Sequence, residues 1–149
     1  MEQIFSKLKI ITNGEGFTDI TNDINLFIQK NNFYSGILVL ACLHTSCSLT
    51  INENADPNVL KDLKKYFKSI VPYNCYTPLS KHKEDIYYEH FQEGKDDMPA
   101  HIKSALTNNQ ISFSIRKNEI LLGTWQGIYL FEHRLEPTIR TVIHHFIGD

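Results

Sequence analysis

Several features that would place a chain at once are missing from this sequence. The longest apolar run, "ILVLACL" from Ile37, is seven residues, far below the roughly 20 that a membrane-crossing helix needs. The opening "MEQIFSKLKIIT" has no basic stretch leading into a long apolar core, so no export signal and no membrane partner are expected and the chain is read as cytoplasmic. Cysteine is sparse: Cys42, Cys47 and Cys75 are an odd number without C-x-x-C spacing. That argues against a disulfide framework or a Cys-rich zinc site and fits a reducing compartment. Fifteen basic against 17 acidic residues give a formal charge of -2, leaving no cationic excess to bind nucleic acid. There is no G-x-G-x-x-G, Walker loop, G-x-S-x-G or H-E-x-x-H, so dinucleotide, nucleotide, hydrolase-elbow and local zinc-helix readings have no motif behind them. No repeat or Pro/Gly/Ser linker divides residues 1–149, which are read as one domain.

What is present is a globular composition, 42% hydrophobic and 21% charged, in a chain long enough to bury about two thirds of its unfolded surface. Residues 3–12 alternate loosely as a strand, and "NGEG" supplies a turn. Ile20, Ile24, Phe27 and Ile28 share one helical face within residues 19–31. Residues 36–43 are a continuous branched apolar run, the pattern of a strand buried on both faces, and "CSLTINE" alternates as the next strand. Asp56 and Pro57 cap and open a helix whose stripe is Val59, Leu60, Leu63, Tyr66, Phe67 and Ile70. Residues 73–95 are a polar segment of the length expected of a functional loop. Asp97 as N-cap and Pro99 in the first turn launch a third helix with Met98, Ile102, Ala105 and Leu106 on its apolar face. Strands are expected over residues 111–115, 119–125, 127–133 and 138–147, with Asn118 left-handed in the "RKN" turn. The fold class is therefore α+β, an antiparallel, sandwich-like core with about three helices.

Seven histidines raise the possibility of a metal. His44, His101 and His133 stand at element ends in polar surroundings, where a rigid scaffold can aim them into one cleft. Three imidazoles with an open coordination position make a catalytic zinc-type site, while histidines hydrogen-bonded at element ends are the alternative. His144 and His145 point to opposite faces of their strand and are read as structural. Asn52, Glu53 and Asn54 precede the Asp56 cap, where they meet a polar ligand or simply form a turn. Arg134 and Arg140 offer forks for a phosphate, or pair with Glu132 or Glu136. "GTWQG" places Gln126 between two glycines, for close backbone approach or a bend. Cys47 is read as buried packing rather than as a nucleophile.

Together, "HTSCSLTINENADPNV", "HFQEGKDDMPAHIKS" and "LGTWQGIYLFEHR" resemble the YjbQ family, also called uncharacterised protein family 0047 and described as secondary thiamine-phosphate synthase enzyme. The resemblance runs from the first helix to Gly148. It implies an α+β subunit assembled as a homotrimer with a histidine-rich metal pocket. By motif it makes His44, His101 and His133 the metal ligands, with His90 in reserve. Glu53, Asp97 and Glu132 become the acid/base or supporting carboxylates, and Asn52, Gln126, Arg134 and Arg140 the contacts to a small phosphorylated substrate. The activity it implies joins a hydroxymethylpyrimidine diphosphate to a thiazole phosphate with loss of pyrophosphate. Magnesium suits a diphosphate, whereas a three-histidine set prefers a zinc-like divalent ion. A metal-dependent hydrolase of another small substrate and a non-enzymatic metal- or metabolite-binding trimer are the competing readings. Cys47 stands where the family usually has alanine, Ser114 where it has proline, Asn118 and Glu119 where it has a Gly-Arg turn, and His144 and His145 where Val-Thr is common.

Overall fold

A computed structural model describes residues 1–79 and 84–149. His82 and part of the expected 73–95 loop therefore lie outside the described residues. The elements run β1 (Glu2–Ile11), β2 (Gly16–Asp19), α1 (Thr21–Asn31), β3 (Ser35–Cys42), β4 (Cys47–Glu53), α2 (Pro57–Ile70), β5 (Cys75–Tyr76) and β6 (Ile86–Tyr87). They continue with α3 (Asp97–Leu106), β7 (Gln110–Arg116), β8 (Glu119–Ile120), β9 (Gln126–Glu132) and β10 (Ile139–Gly148). Every pairing is antiparallel. One sheet has the order β1-β10-β3-β7-β8, a second β2-β9-β4, and β5 pairs with β6 in a small hairpin. The α+β, sandwich-like expectation holds. No helix among the described residues is long and apolar enough to cross a membrane.

The core lies between the two larger sheets. Leu38, Leu40, Val142 and Phe146 from the first meet Cys47, Leu49, Ile128 and Leu130 from the second, with Ile24 and Ile28 of α1 filling one end. On the far side of the second sheet Phe131 stacks on Phe17 at 4.0 Å and meets Phe67 of α2 edge-on at 5.3 Å. The central strand β9 is consequently buried on both faces from Gly127 to Glu132. That arrangement was expected of residues 36–43, but β3 alternates, with Ile37 exposed and Leu38 and Leu40 buried. The reason is topological: helices and a second sheet cover only one side of β3.

Local chemistry explains most boundaries. Asp56 caps α2 by accepting from the Asn58 N–H at 2.8 Å. Lys117 and Asn118 both take positive φ in the turn joining β7 to β8, the geometry that a two-residue hairpin requires. β8 is only two residues long, because Gly123 to Gln126 closes a turn in which the Gln126 N–H donates to the Gly123 carbonyl. Asp96, not Asp97, occupies the cap position of α3, and its side chain makes no capping bond. Both carboxylates are drawn instead to an arginine described below.

His144 faces inward against Phe27 at 4.5 Å, while His145 stacks on Phe5 on the opposite face. Neither ring nitrogen of His144 has a hydrogen-bond partner, and burial, opposed weakly by Asp23, pushes its pKa down to about 4. The folded chain thus keeps this imidazole neutral where the unfolded chain would protonate it. Its contribution is fully present above the ordinary value of 6.5 and is lost as pH falls from there towards 4. We expect His144→Leu to raise stability by about 1 kcal/mol and to shrink the drop in urea midpoint between pH 7 and pH 5. An equal drop in both proteins would refute the assignment.

Candidate functional site

The polar step that opens α3 is where chemistry gathers. His101 lies one turn beyond Asp97 on the same helix, and His90 reaches in from the segment before it. Ligand atoms of His90, Asp97 and His101 all lie within 4.8 Å of one another. His90 Nε2 is 2.6 Å and His101 Nε2 3.6 Å from the same oxygen, Asp97 Oδ2. The His101 Nδ1–H donates to the Thr45 carbonyl at 3.0 Å, which fixes the ring and turns the Nε2 lone pair towards Asp97. Asp97 is almost fully buried at 3%, whereas His90 at 47% and His101 at 34% remain open to solvent.

Arg134, just beyond β9, holds the carboxylates in place. Its Nε donates to Asp96 at 3.0 Å, Nη1 to the second oxygen of Asp97, and Nη2 to the Glu93 carbonyl at 2.7 Å. Burial alone would raise the Asp96 pKa, but the Leu135 N–H and the Arg134 guanidinium outweigh it and hold the carboxyl below its ordinary value. Two carboxylates facing one guanidinium leave one negative charge uncompensated, directed at the two imidazoles. The cluster is thereby suited to a cation.

Only His101 of the three expected imidazole ligands belongs to this group. His44 Nε2 accepts the Thr141 N–H at 2.8 Å, so that lone pair is engaged by backbone. His133 is fully buried, and its Nε2 lies 2.9 Å from Ser48 Oγ. Burial, with Lys103 and Arg140 nearby, pushes its pKa down to about 3. Of the set expected at His44, His101 and His133, the structure brings only His101 into this cluster, whose other members are His90 and Asp97. His90, held in reserve from the "HFQEGKDD" run, is the member that pattern alone did not promote.

Glu132 and Arg140 pair with each other. Glu132 is fully buried, accepting from Arg140 at both oxygens (2.7 and 2.6 Å), from Thr12 at 3.0 Å, and from the His133 and Arg134 N–H groups. Arg140 Nη2 also donates to the Ser46 carbonyl and hydroxyl. The structure thus shows the pairing of Arg140 with Glu132 that the sequence left open as an alternative. The buried pair ties β9 to β10. Lys103, which the sequence pattern did not single out, is fully buried on α3 and paired with Glu15.

Two cavities flank the second sheet. Asn52, Glu53 and Gln126, with Ala55 and Trp125, line one of about 400 Å³. Glu53 closes β4, whose other end, Cys47, adjoins Thr45 and His101; six residues at about 3.3 Å each separate the two ends by roughly 20 Å. Within one chain these polar residues are therefore not part of the histidine cluster. A larger cavity of about 960 Å³ begins at His90, Met98 and Ile102 and is walled by Tyr76, Tyr87 and Tyr88. It lies between α2, α3 and the β5–β6 hairpin, within the stretch expected to form a functional loop.

Comparison with known proteins agrees with the fold. A family model described as UPF0047 protein YjbQ-like matches residues 6–149. The chain is 38% identical to the UPF0047 protein YjbQ of Escherichia coli O157:H7 over 143 residues, 95% of this chain and 96% of that one. It is 33% identical to the UPF0047 protein YugU of Bacillus subtilis, covering 92% and 93%. A crystal structure from Clostridium acetobutylicum, described as an uncharacterized conserved protein of the yjbq/upf0047 family, superposes with a TM-score of 0.76 at 34% identity, covering 97% of this chain and 99% of that one. A YbjQ-like protein of unknown function from Sulfolobus solfataricus, at TM-score 0.78 and 18% identity, shares the fold.

Arg134 neutralises buried charge as well as aiming Asp97. Arg134→Met should cost about 2–3 kcal/mol, since it strands two carboxylates largely out of water. Part of that loss should disappear in Arg134→Met/Asp96→Asn, measured by urea denaturation. Additive losses in the double variant would contradict the pairing.

Proposed function

The chain belongs to the YjbQ-like UPF0047 family, and from its site we propose a metal-dependent enzyme acting on a small phosphorylated metabolite, with the divalent ion held by His90, Asp97 and His101. The observation that carries this reading is the convergence of three ligand atoms within 4.8 Å, one of them on His90, which also lines a cavity large enough for a metabolite. Two imidazoles and one carboxylate suit a zinc- or iron-like ion with open positions; magnesium, which prefers oxygen donors, fits this set poorly. Bound there, a divalent ion supplies positive charge for a phosphate leaving group or polarises an electrophile.

The remaining steps fall to the chain's own groups. Asp97 is held by Arg134 and cannot swing away. His101 is oriented by the Thr45 carbonyl. His90 is the most exposed of the three and leaves the cluster open to solvent. Tyr76, Tyr87 and Tyr88 offer apolar faces to a planar ring. Lys68 and Lys95 lie 5.6 and 5.9 Å from the Tyr73 ring; Lys95 sits two residues before Asp97 and Lys68 beside the cavity-lining Ser69, which favours an anionic substrate. A hydroxymethylpyrimidine diphosphate and a thiazole phosphate are substrates of this kind. The donor set, better matched to zinc than to magnesium, favours the second reading, a metal-dependent hydrolase of another small substrate.

We also propose a homotrimer. The outer face of the five-stranded sheet carries exposed Phe5, Ile11, Ile37 and Ile139, an apolar surface that a second copy would cover.

Two measurements test these proposals. Untagged protein should carry near-stoichiometric zinc or iron by elemental analysis, and His90→Ala and His101→Ala should each lose it while keeping the wild-type circular dichroism spectrum. Metal retained in both variants would remove the assignment, and metal without turnover of any phosphorylated substrate would leave a binding protein. By light scattering, the wild type should have three times the chain mass and Ile37→Lys should dissociate. A monomeric wild type would end the trimer proposal.

A further inference from the structure

Two of the three cysteines take no part in the site, yet their sulfur atoms almost touch. Cys42 ends β3 and Cys47 opens β4. Their Sγ atoms lie 3.0 Å apart, about 1 Å beyond the roughly 2.05 Å of a disulfide bond. Both are free thiols. The two strands belong to different sheets, so a bond here would join the two layers of the core across the four-residue link from Leu43 to Ser46.

That link is already held by strand β10 and helix α3. His44 Nε2 accepts the Thr141 N–H, the Thr45 carbonyl accepts from His101 Nδ1, and the Ser46 carbonyl and hydroxyl accept from Arg140. Its ends are therefore fixed relative to each other, and the sulfur atoms have little freedom to separate. We propose that Cys42 and Cys47 form a reversible dithiol–disulfide pair, a site of oxidation by peroxide or by a small disulfide such as oxidised glutathione.

The chemistry balances within the pair. Cys42, 9% exposed against 0% for Cys47, is the sulfur that an oxidant reaches first. Cys42, the less buried of the two, is therefore taken as the attacking sulfur, reacting as its thiolate. Attack on hydrogen peroxide breaks the O–O bond and leaves a sulfenic acid on Cys42, the departing hydroxide taking a proton to become water. Cys47 sulfur then displaces the sulfenic oxygen, which leaves as a second water as the S–S bond forms. Two thiols are oxidised and one peroxide is reduced to two waters; a dithiol reductant reverses the clamp by exchange. Because Thr45 orients His101, oxidation is felt next to the histidine cluster, although the pair itself does not depend on any metal there.

The test counts thiols in the full chain. Protein treated with hydrogen peroxide, or equilibrated in a glutathione redox buffer, is quenched with an alkylating agent under denaturing conditions and weighed intact. We expect the wild type to lose two hydrogens and to alkylate only Cys75, a non-reducing digest to show residues 42 and 47 in one linked peptide, and dithiothreitol to restore all three thiols. Cys75→Ser should form the same link, and Cys47→Ala should abolish it, leaving a sulfenic acid or glutathione adduct on Cys42. Three alkylatable thiols after both treatments would overturn the proposal, and so would a bridge through Cys75 or between chains.

Discussion

Charge has to be buried where β9 ends, and much of the architecture around the candidate site follows from how that is managed. β9 is enclosed by a sheet on one side and by α2 with its aromatic cluster on the other. Its last residue and the two that follow, Glu132, His133 and Arg134, enter that environment with polar groups that cannot remain unpaired. Glu132 is answered by Arg140 from β10, Thr12 from the end of β1 and two backbone N–H groups. Arg134 is answered by Asp96 and Asp97 at the start of α3. Removing one member of either set would leave an uncompensated buried charge, which costs more than the intact pair contributes.

The same requirement shapes the site. Asp96 and Asp97 head a helix, where carboxylates ordinarily cap free N–H groups, but Arg134 diverts both. One oxygen of Asp97 is occupied by the guanidinium, and the other is left facing His90 and His101. A residue that pattern reads as a cap thus becomes the centre of the histidine–carboxylate cluster. His101 is oriented from yet another element, through the Thr45 carbonyl between β3 and β4. Four separate stretches of chain, from the β3–β4 link to the segment after β9, converge on one cluster that no local motif announces.

Loss of conformational freedom runs through the link at residues 43–46 as well. It crosses from one sheet to the other in four residues, and each of its last three makes a polar contact outside itself. The closeness of Cys42 and Cys47 is a by-product of that tight crossing. Alanine at position 47 would fill the same buried strand position without bringing a second sulfur to Cys42.

The sequence by itself determined the kinds of element and most of their limits. The stripe on α2 with its Asp56–Pro57 start, the alternation of "CSLTINE" and the left-handed Asn118 turn depend on neighbours within a few residues, and such local terms are written into the order of side chains. It also determined which motifs matter, since every residue of the cluster lies within or beside them. The tertiary structure decided which partners those residues meet. That His133 lies against Ser48, that Glu132 pairs with Arg140 on the next strand, and that β9 rather than β3 is enclosed on both faces depend on how separate elements pack. Those partners are chosen by packing and by the cost of buried charge, and neither quantity is carried by local spacing.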